Sequence, residues 1–176
     1  MRRKLQYDEI FSQRPAEEDL KKLQRTPVCA VIENIRSMHN VGSIFRTSDG
    51  VRLQELVLCG FTARPPRPEI NKTALGATET VPWSYAKSAI DAIKEFRQKG
   101  YQIVTVEHTT DSVPYYSAQY DFPVCLVFGN EVEGVSAEIV SLADMAVEIP
   151  MLGVKHSLNV SVAYAVIVYD LLAKYL

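Results

Sequence analysis

The sequence predicts an α/β protein, a parallel sheet flanked by helices, and three observations carry that prediction. Apolar runs of strand length alternate with segments of helical periodicity along most of the chain. The run Val28-Cys29-Ala30-Val31-Ile32 is nearly continuous in apolar character, as expected of a strand buried on both faces. Three predicted strands are followed by polar turns carrying Gly and Asn, and in parallel sheets ligands bind beyond the carboxyl ends of the strands. At 176 residues and 47% hydrophobic, the chain can bury one good core.

Taken in order, residues 15–23 read as a short helix, acids early and bases late as the helix dipole prefers, ended by Pro27. After the strand 28–32 and a polar loop, residues 40–48 read as a helix with Val41, Ile44 and Phe45 on one side. Residues 56–59 form a second strand closed by Gly60. Four prolines with Arg64, Arg67 and Lys72 mark 61–85 as an exposed excursion, with a short strand at Thr80-Val81-Pro82-Trp83. Residues 86–99 are an amphipathic helix stopped by Gly100, 102–106 a strand, and 108–121 a loop with a turn of helix. A strand at 123–128, a helix at 136–143 and a strand at 145–149 halted by Pro150 follow. The long apolar segment 160–176 is the last helix, with Ser157 and Asn159 at its start as potential caps.

Charge and cysteine usage narrow the setting. A net charge of -2 argues against a surface coated uniformly for nucleic acid. The charge is uneven, however: residues 1–25 carry seven basic and five acidic side chains, the remainder twelve and sixteen. Cys29, Cys59 and Cys125 fall in predicted strands at no metal or redox spacing, which fits packing in a reducing compartment. The amino terminus has no apolar run of a signal peptide, and Asp170 and Lys174 interrupt the last helix, so a cytoplasmic protein without a membrane span is expected. His39, His108 and His156 lack metal-ligand spacing, and no Ser/His/Asp triad assembles from the sequence, so no metal is expected.

The polar turns carry the chemistry. Gly129-Asn130-Glu131-Val132-Glu133-Gly134 leaves a strand, and such a turn can present backbone N–H groups to an anion or nucleotide; it matches neither the Walker nor the dinucleotide glycine pattern. Arg46 follows Phe45 in a half-buried helix, where it either pairs with Glu131 or Asp49, lies on a solvated face, or offers its planar fork to a phosphate.

Together three segments resemble the SpoU-type (TrmH-type) branch of the SPOUT RNA methyltransferases. They are Asn40-Val41-Gly42-Ser43-Ile44-Phe45-Arg46-Thr47, the stretch from Leu126 to Val135, and Ile149-Pro150-Met151 followed by Ser157-Leu158-Asn159-Val160-Ser161. Their order and spacing match, and the likeness runs from about Val28 to the end of the chain; Met38 stands where many relatives have proline. The resemblance implies an α/β-knot whose carboxy-terminal segment threads a deep trefoil, with residues 28–176 as the methyltransferase domain and 1–27 a basic helical extension. It also implies a homodimer, and S-adenosylmethionine held by Thr105, Val106, Glu107, Gly129, Ile149 and Leu158.

The reaction implied is methyl transfer to a ribose 2′-hydroxyl of RNA, leaving S-adenosylhomocysteine, with Arg46, Asn40, Glu131, Ser157 and Asn159 as the catalytic set. The family proposal makes Arg46 a base. A guanidinium keeps its proton in proteins, so the expected role is to hold the adjacent phosphate and stabilise developing alkoxide charge. Asn40 and Glu131 would orient Arg46, while Ser157 and Asn159 position the ribose. RNA contacts are expected from Arg46, Arg2, Arg3, Lys4, Arg64 and Lys72. Transfer RNA is favoured over ribosomal RNA, because the chain lacks room for a separate RNA-binding domain ahead of the fold. Two other readings stand beside this one: a non-catalytic RNA-binding or ribosome-assembly protein that keeps the knot, and an α/β enzyme of another kind using 129–134 for a nucleotide.

Overall fold

A computed structural model of the chain describes residues 2–20 and 22–176, with the side chains of Glu17 and Glu18 outside the description. The prediction at Lys21 within the first helix therefore lies outside the described residues. In chain order the elements are α1 (Tyr7–Phe11), α2 (Glu17–Leu20), β1 (Thr26–Glu33), α3 (Met38–Gly50), β2 (Leu53–Cys59), α4 (Pro68–Ala74), α5 (Ala77–Thr80), β3 (Trp83–Ala86) and α6 (Ala89–Gln98). They continue with β4 (Gln102–Val106), β5 (Val113–Pro114), a 3-10 turn (Tyr115–Ser117), β6 (Val124–Phe128), α7 (Ala137–Leu142), β7 (Met145–Glu148) and α8 (Val160–Tyr175).

The seven strands form one sheet in the order β3-β2-β1-β6-β4-β7-β5, with every pairing parallel. The central strands are apolar on both sides because both faces are covered. Val28, Ala30 and Ile32 of β1 face a core closed by Ile44 and Phe45 of α3 and Tyr164, Ile167 and Leu171 of α8. Cys29 and Val31 face the opposite core, closed by Ile93 and Phe96 of α6 and Ile139 of α7. At one edge, β5 is two residues long and ends in Pro114, which leaves little free backbone for pairing with another chain.

Three sequence expectations need correction. The stretch 61–85 is not simply an exposed excursion: it contains α4 and α5, whose Ile70, Ala74 and Ala77 are buried. Pro68 starts α4, where its missing N–H costs nothing, and Ile70 and Ala74, four residues apart, lie on one buried face. The short strand is Trp83–Ala86, not Thr80–Trp83, since Thr80 closes α5 and Val81 fills the core. The helix expected from Ala86 starts at Ala89, where the Ser88 hydroxyl accepts from the Asp91 amide at 3.2 Å. The other boundaries fall within about three residues of those read from periodicity, and β4 matches at both ends.

All strands being parallel, their carboxyl ends share one edge. That edge receives the loops after β1, β4, β6 and β7, which build the site.

Candidate active site

A cavity of about 320 Å³ opens beyond the carboxyl ends of β4, β6 and β7. That is the size range of small-molecule sites. Val106, Ile149, Leu158 and Ala163 give it apolar walls, and Glu107, Glu131, Glu133 and Glu148 give it four carboxylates against His108 and His156. Its lining therefore mixes apolar and acidic groups.

The turn after β6 is built by Asn130. Its backbone exchanges hydrogen bonds with Gly134 (3.0 and 2.9 Å), and its side-chain oxygen accepts from the Val132 and Glu133 amides at 2.8 and 3.1 Å. Its side-chain NH₂ donates to the Asn34 carbonyl at 2.8 Å, tying this turn to the end of β1. Gly129 is required by close approach, since a Cβ there would run into the backbone of Gly134.

Glu131 reaches across to the start of α3. Its carboxylate accepts from the Arg36 amide at 2.9 Å, the Ser37 amide at 3.1 Å and the Asn40 side chain at 3.1 Å. Partial burial pushes this carboxyl up, but the donors outweigh it and hold the group below the ordinary carboxylate range. A carboxylate only accepts, so the NH₂ of Asn40 must face Glu131, leaving its oxygen to accept from the Asn159 side chain at 3.1 Å. Asn159 in turn caps α8, its oxygen accepting from the Ser161 amide at 2.9 Å and the Ser161 hydroxyl at 2.7 Å. Glu131, Asn40 and Asn159 are thus one hydrogen-bonded chain linking three turns that lie up to 119 residues apart.

The remaining predicted residues are distributed as follows. Glu131, Ser157 and Asn159 line the cavity, as do Val106, Glu107, Gly129, Ile149 and Leu158. Ser157 lies in the loop and leaves the capping to Asn159. Thr105 does not line the cavity: it is fully buried one residue short of it, its hydroxyl directed to the Met145 carbonyl at 3.5 Å. Glu107 spends its carboxylate on the Val135 and His108 amides at 2.8 and 2.9 Å.

The helix α3 is half-buried, as read, and Arg46 is exposed on its open side. Among the described residues it has no ion pair or side-chain hydrogen bond; Glu131 is taken by α3's first turn, and Asp49 accepts from the Thr80 hydroxyl at 2.5 Å. Asn40 and Glu131 therefore fix the helix that carries Arg46 without touching its side chain. Arg3 pairs with Glu9 at 2.6 Å, Arg2 and Lys4 are exposed, Arg64 lies over the Tyr85 ring and Lys72 is exposed on α4. Among the described residues no group of three or more His, Cys, Asp or Glu side chains is placed to hold a metal.

A second cluster escapes sequence reasoning. His108, just after β4, has one ring nitrogen 3.2 Å from Glu148 and the other 3.1 Å from the His156 carbonyl. Ser112 donates to the same Glu148 oxygen at 2.7 Å. The bond to Glu148 raises the His108 pKa, opposed by partial burial and helped by the His156 carbonyl. Ser112 and then His108 hold Glu148 below the ordinary range. No spacing could have revealed this, because the partners lie 40 and 48 residues apart and meet only through the parallel register of β4 and β7.

A family model described as the SpoU rRNA Methylase family matches residues 27–169. The chain is 37% identical over 139 residues to a tRNA (guanosine(18)-2'-O)-methyltransferase of Aquifex aeolicus, covering 78% of this chain and 65% of that one. It is 34% identical over 156 residues to the enzyme of the same name from Thermus thermophilus, covering 87% and 78%. The chain thus spans just under two thirds of the Aquifex relative. Among solved structures, an AdoMet-bound rRNA methyltransferase from Sinorhizobium meliloti superposes with a TM-score of 0.80 at 28% identity, covering 89% of this chain and 60% of that one.

Proposed function

The chain belongs to the SpoU rRNA methylase family, and on that premise we propose that it is an S-adenosylmethionine-dependent enzyme methylating a ribose 2′-hydroxyl of RNA. Transfer RNA is the favoured substrate, supported by the names of the Aquifex and Thermus relatives. One observation carries the reading: the three turns that resemble the family's motifs are joined side chain to side chain through Asn40, whose partners Glu131 and Asn159 line one cavity.

The cavity fits the cofactor. Its apolar walls suit an adenine, and its carboxylates suit a molecule carrying a sulfonium and an ammonium. When bound, S-adenosylmethionine supplies the methyl group and leaves as S-adenosylhomocysteine. Val106, Glu107, Gly129, Ile149 and Leu158 would line it, with Thr105 supporting β4 from behind. Ser157 and Asn159 would position the ribose. Arg46, exposed and unpaired among the described residues, would hold the neighbouring phosphate and stabilise charge developing on the 2′-oxygen as its proton leaves to water. Asn40 and Glu131 act by fixing the first turn of α3, from which Arg46 projects. Arg2, Lys4, Arg64 and Lys72 are the further RNA contacts, Arg3 being already paired with Glu9.

Four finer features belong to the same reading. The carboxy-terminal segment threads a trefoil knot; in support, loop 149–159 follows β7 near one sheet edge, yet α8 packs on α3 and β1. The protein is a homodimer, a second copy covering the exposed Val162 and Tyr169, seven residues apart on α8, and Leu176 just beyond its end. It works in the cytoplasm, where its three free cysteines stay reduced. Residues 28–176 form the methyltransferase domain and 1–27 its basic extension, supported by a family match that begins at 27. A non-catalytic descendant would have no need of the Glu131–Asn40–Asn159 chain beside an exposed Arg46.

The test is transfer of labelled methyl from S-adenosylmethionine to separate tRNA and rRNA fractions, followed by digestion to nucleosides. We expect a 2′-O-methylnucleoside in the tRNA fraction, absent with Arg46→Ala. Label on a base would overturn the assignment, and label in rRNA alone would overturn the substrate.

A further inference from the structure

The carboxyl edge of the sheet holds a second cleft, over the ends of β1 and β2, lined by Arg36, Met38, Phe61, Arg64 and Arg67. Phe61 is 63% exposed, with its ring directed away from both cores. The turn that carries it is fixed by its backbone: Gly60 has a φ of 62°, and the Phe61 amide donates to the Asn34 side chain at 3.1 Å. Arg64 is braced as well, its guanidinium 4.0 Å from the centre of the Tyr85 ring, whose hydroxyl donates to the Gly60 carbonyl at 3.1 Å. Among the described residues none of Arg36, Arg64 and Arg67 has an ion pair or a side-chain hydrogen bond, and no carboxylate lines the cleft. Three arginines without an ion-pair partner among the described residues, lining one cleft with an exposed aromatic ring on a braced turn, form a surface complementary to phosphates bearing a flat, apolar group.

We propose that this cleft binds an unpaired nucleotide of a single-stranded RNA segment, its base stacked on Phe61 and its flanking phosphates held by Arg36, Arg64 and Arg67. The inference rests on the reading of the chain as an RNA-modifying enzyme and adds to it a second, separate point of contact. A duplex could use the arginines but not the ring, because its base faces are already stacked. The two clefts are continuous through one loop: the Arg36 and Ser37 amides are held by Glu131, which lines the cofactor cavity. A single strand leaving the reaction site toward β2 therefore passes over Phe61.

The experiment is fluorescence anisotropy of a labelled single-stranded RNA of about twelve nucleotides with the full chain and saturating S-adenosylhomocysteine. Phe61→Ala should weaken binding about tenfold, and Phe61→Trp should restore it. Changing Arg64 and Arg67 together to alanine should flatten the log–log salt dependence by about 1.4, roughly 0.7 for each phosphate left without its arginine. Cofactor affinity, read separately by calorimetry, should be unchanged in each variant. Unaltered RNA affinity in Phe61→Ala overturns the inference, as does equally tight binding of a duplex or of an acidic peptide. If cofactor binding and methyl transfer persist in that case, only this inference falls. A wild-type chain that binds neither cofactor nor RNA removes the functional reading with it.

Discussion

Over β4, β6 and β7 the carboxyl edge of the sheet presents a cavity lined by four carboxylates and several apolar side chains; over β1 and β2 the same edge presents a cleft lined by three arginines and one phenyl ring. A net charge of -2 averages these two neighbours into apparent neutrality. One edge can thereby serve a cationic small molecule and a polyanion together. Parallel strands bring all their exits to one side, and a few residues of loop decide the sign of each stretch. What separates the two regions is the segment 34–37, pinned from the acidic side by Asn130 and Glu131.

The sharpest way to divide the two regions is Arg46→Ala. We expect methyl transfer to fall about a thousandfold, as when a group that stabilises transition-state charge is removed, with cofactor affinity unchanged. Arg46→Lys should keep less than about a tenth of the activity, since an ammonium lacks the planar fork. Equal losses in cofactor binding would break the division. Near-normal activity in Arg46→Lys would remove the need for the fork.

Glu131→Ala attacks the boundary itself. Losing the acceptor shared by Arg36, Ser37 and Asn40 should cost about 2 kcal/mol in urea unfolding at neutral pH and should weaken both cofactor and RNA binding. The Glu131 pKa is lowered by folding, so its stabilisation is present above the ordinary carboxylate value and is lost as pH falls through the lowered one. The gap between wild type and variant should therefore close in acid. A gap that is constant with pH would show that Glu131 does not act as a carboxylate.

His108→Ala should disturb the acidic cleft alone, weakening cofactor binding about fivefold, as expected for loss of a charge-assisted hydrogen bond that orders a loop. Glu148 and Glu107 are the carboxylates that act on His108, and its pKa is raised. The contribution is thus full below the ordinary histidine value and disappears as pH rises through the raised one. Wild type and variant should converge in alkaline buffer, with single-stranded RNA affinity equal throughout. A variant defect that persists there would assign His108 a packing role only.

The smallest effect expected is Tyr164→Phe. It removes the buried bond between the Tyr164 and Ser48 hydroxyls, 2.6 Å long, and should cost about 1 kcal/mol of stability. Neither cofactor nor RNA affinity should change, which makes it the control for the other three. A shift in either affinity would mean that the α3–α8 packing is coupled to the clefts.

Much of the architecture is legible because it depends on local pattern. Val28–Ile32 and Val124–Phe128 are apolar without alternation because helices cover both faces of their strands, and that burial is written residue by residue. The stretch 61–85 misleads because its prolines and arginines mark turns and surface, while Ile70, Ala74 and Ala77 at helical spacing give too short a signal. In the site, Asn40, Glu131 and Asn159 are identifiable through resemblance, but the order of their contacts is not: Glu131 reaches Asn40 and the loop amides, leaving Arg46 outside.

The alternation of strand and helix, the doubly buried central strands, the polar turns at strand ends and the family likeness are all properties of the residue order alone. They follow from side-chain chemistry within a few residues, where periodicity and capping operate. Folding in three dimensions was needed to join the three turns through Asn40, to bring His108 to Glu148 and the His156 carbonyl, and to bring Arg36 to the cleft that holds Phe61, Arg64 and Arg67. The two hydrogen-bonded networks span tens of residues, and strand order sets them; beside Phe61 only Arg36 comes from another loop. Strand order is fixed by the packing of the whole sheet and leaves no mark on any short stretch of chain.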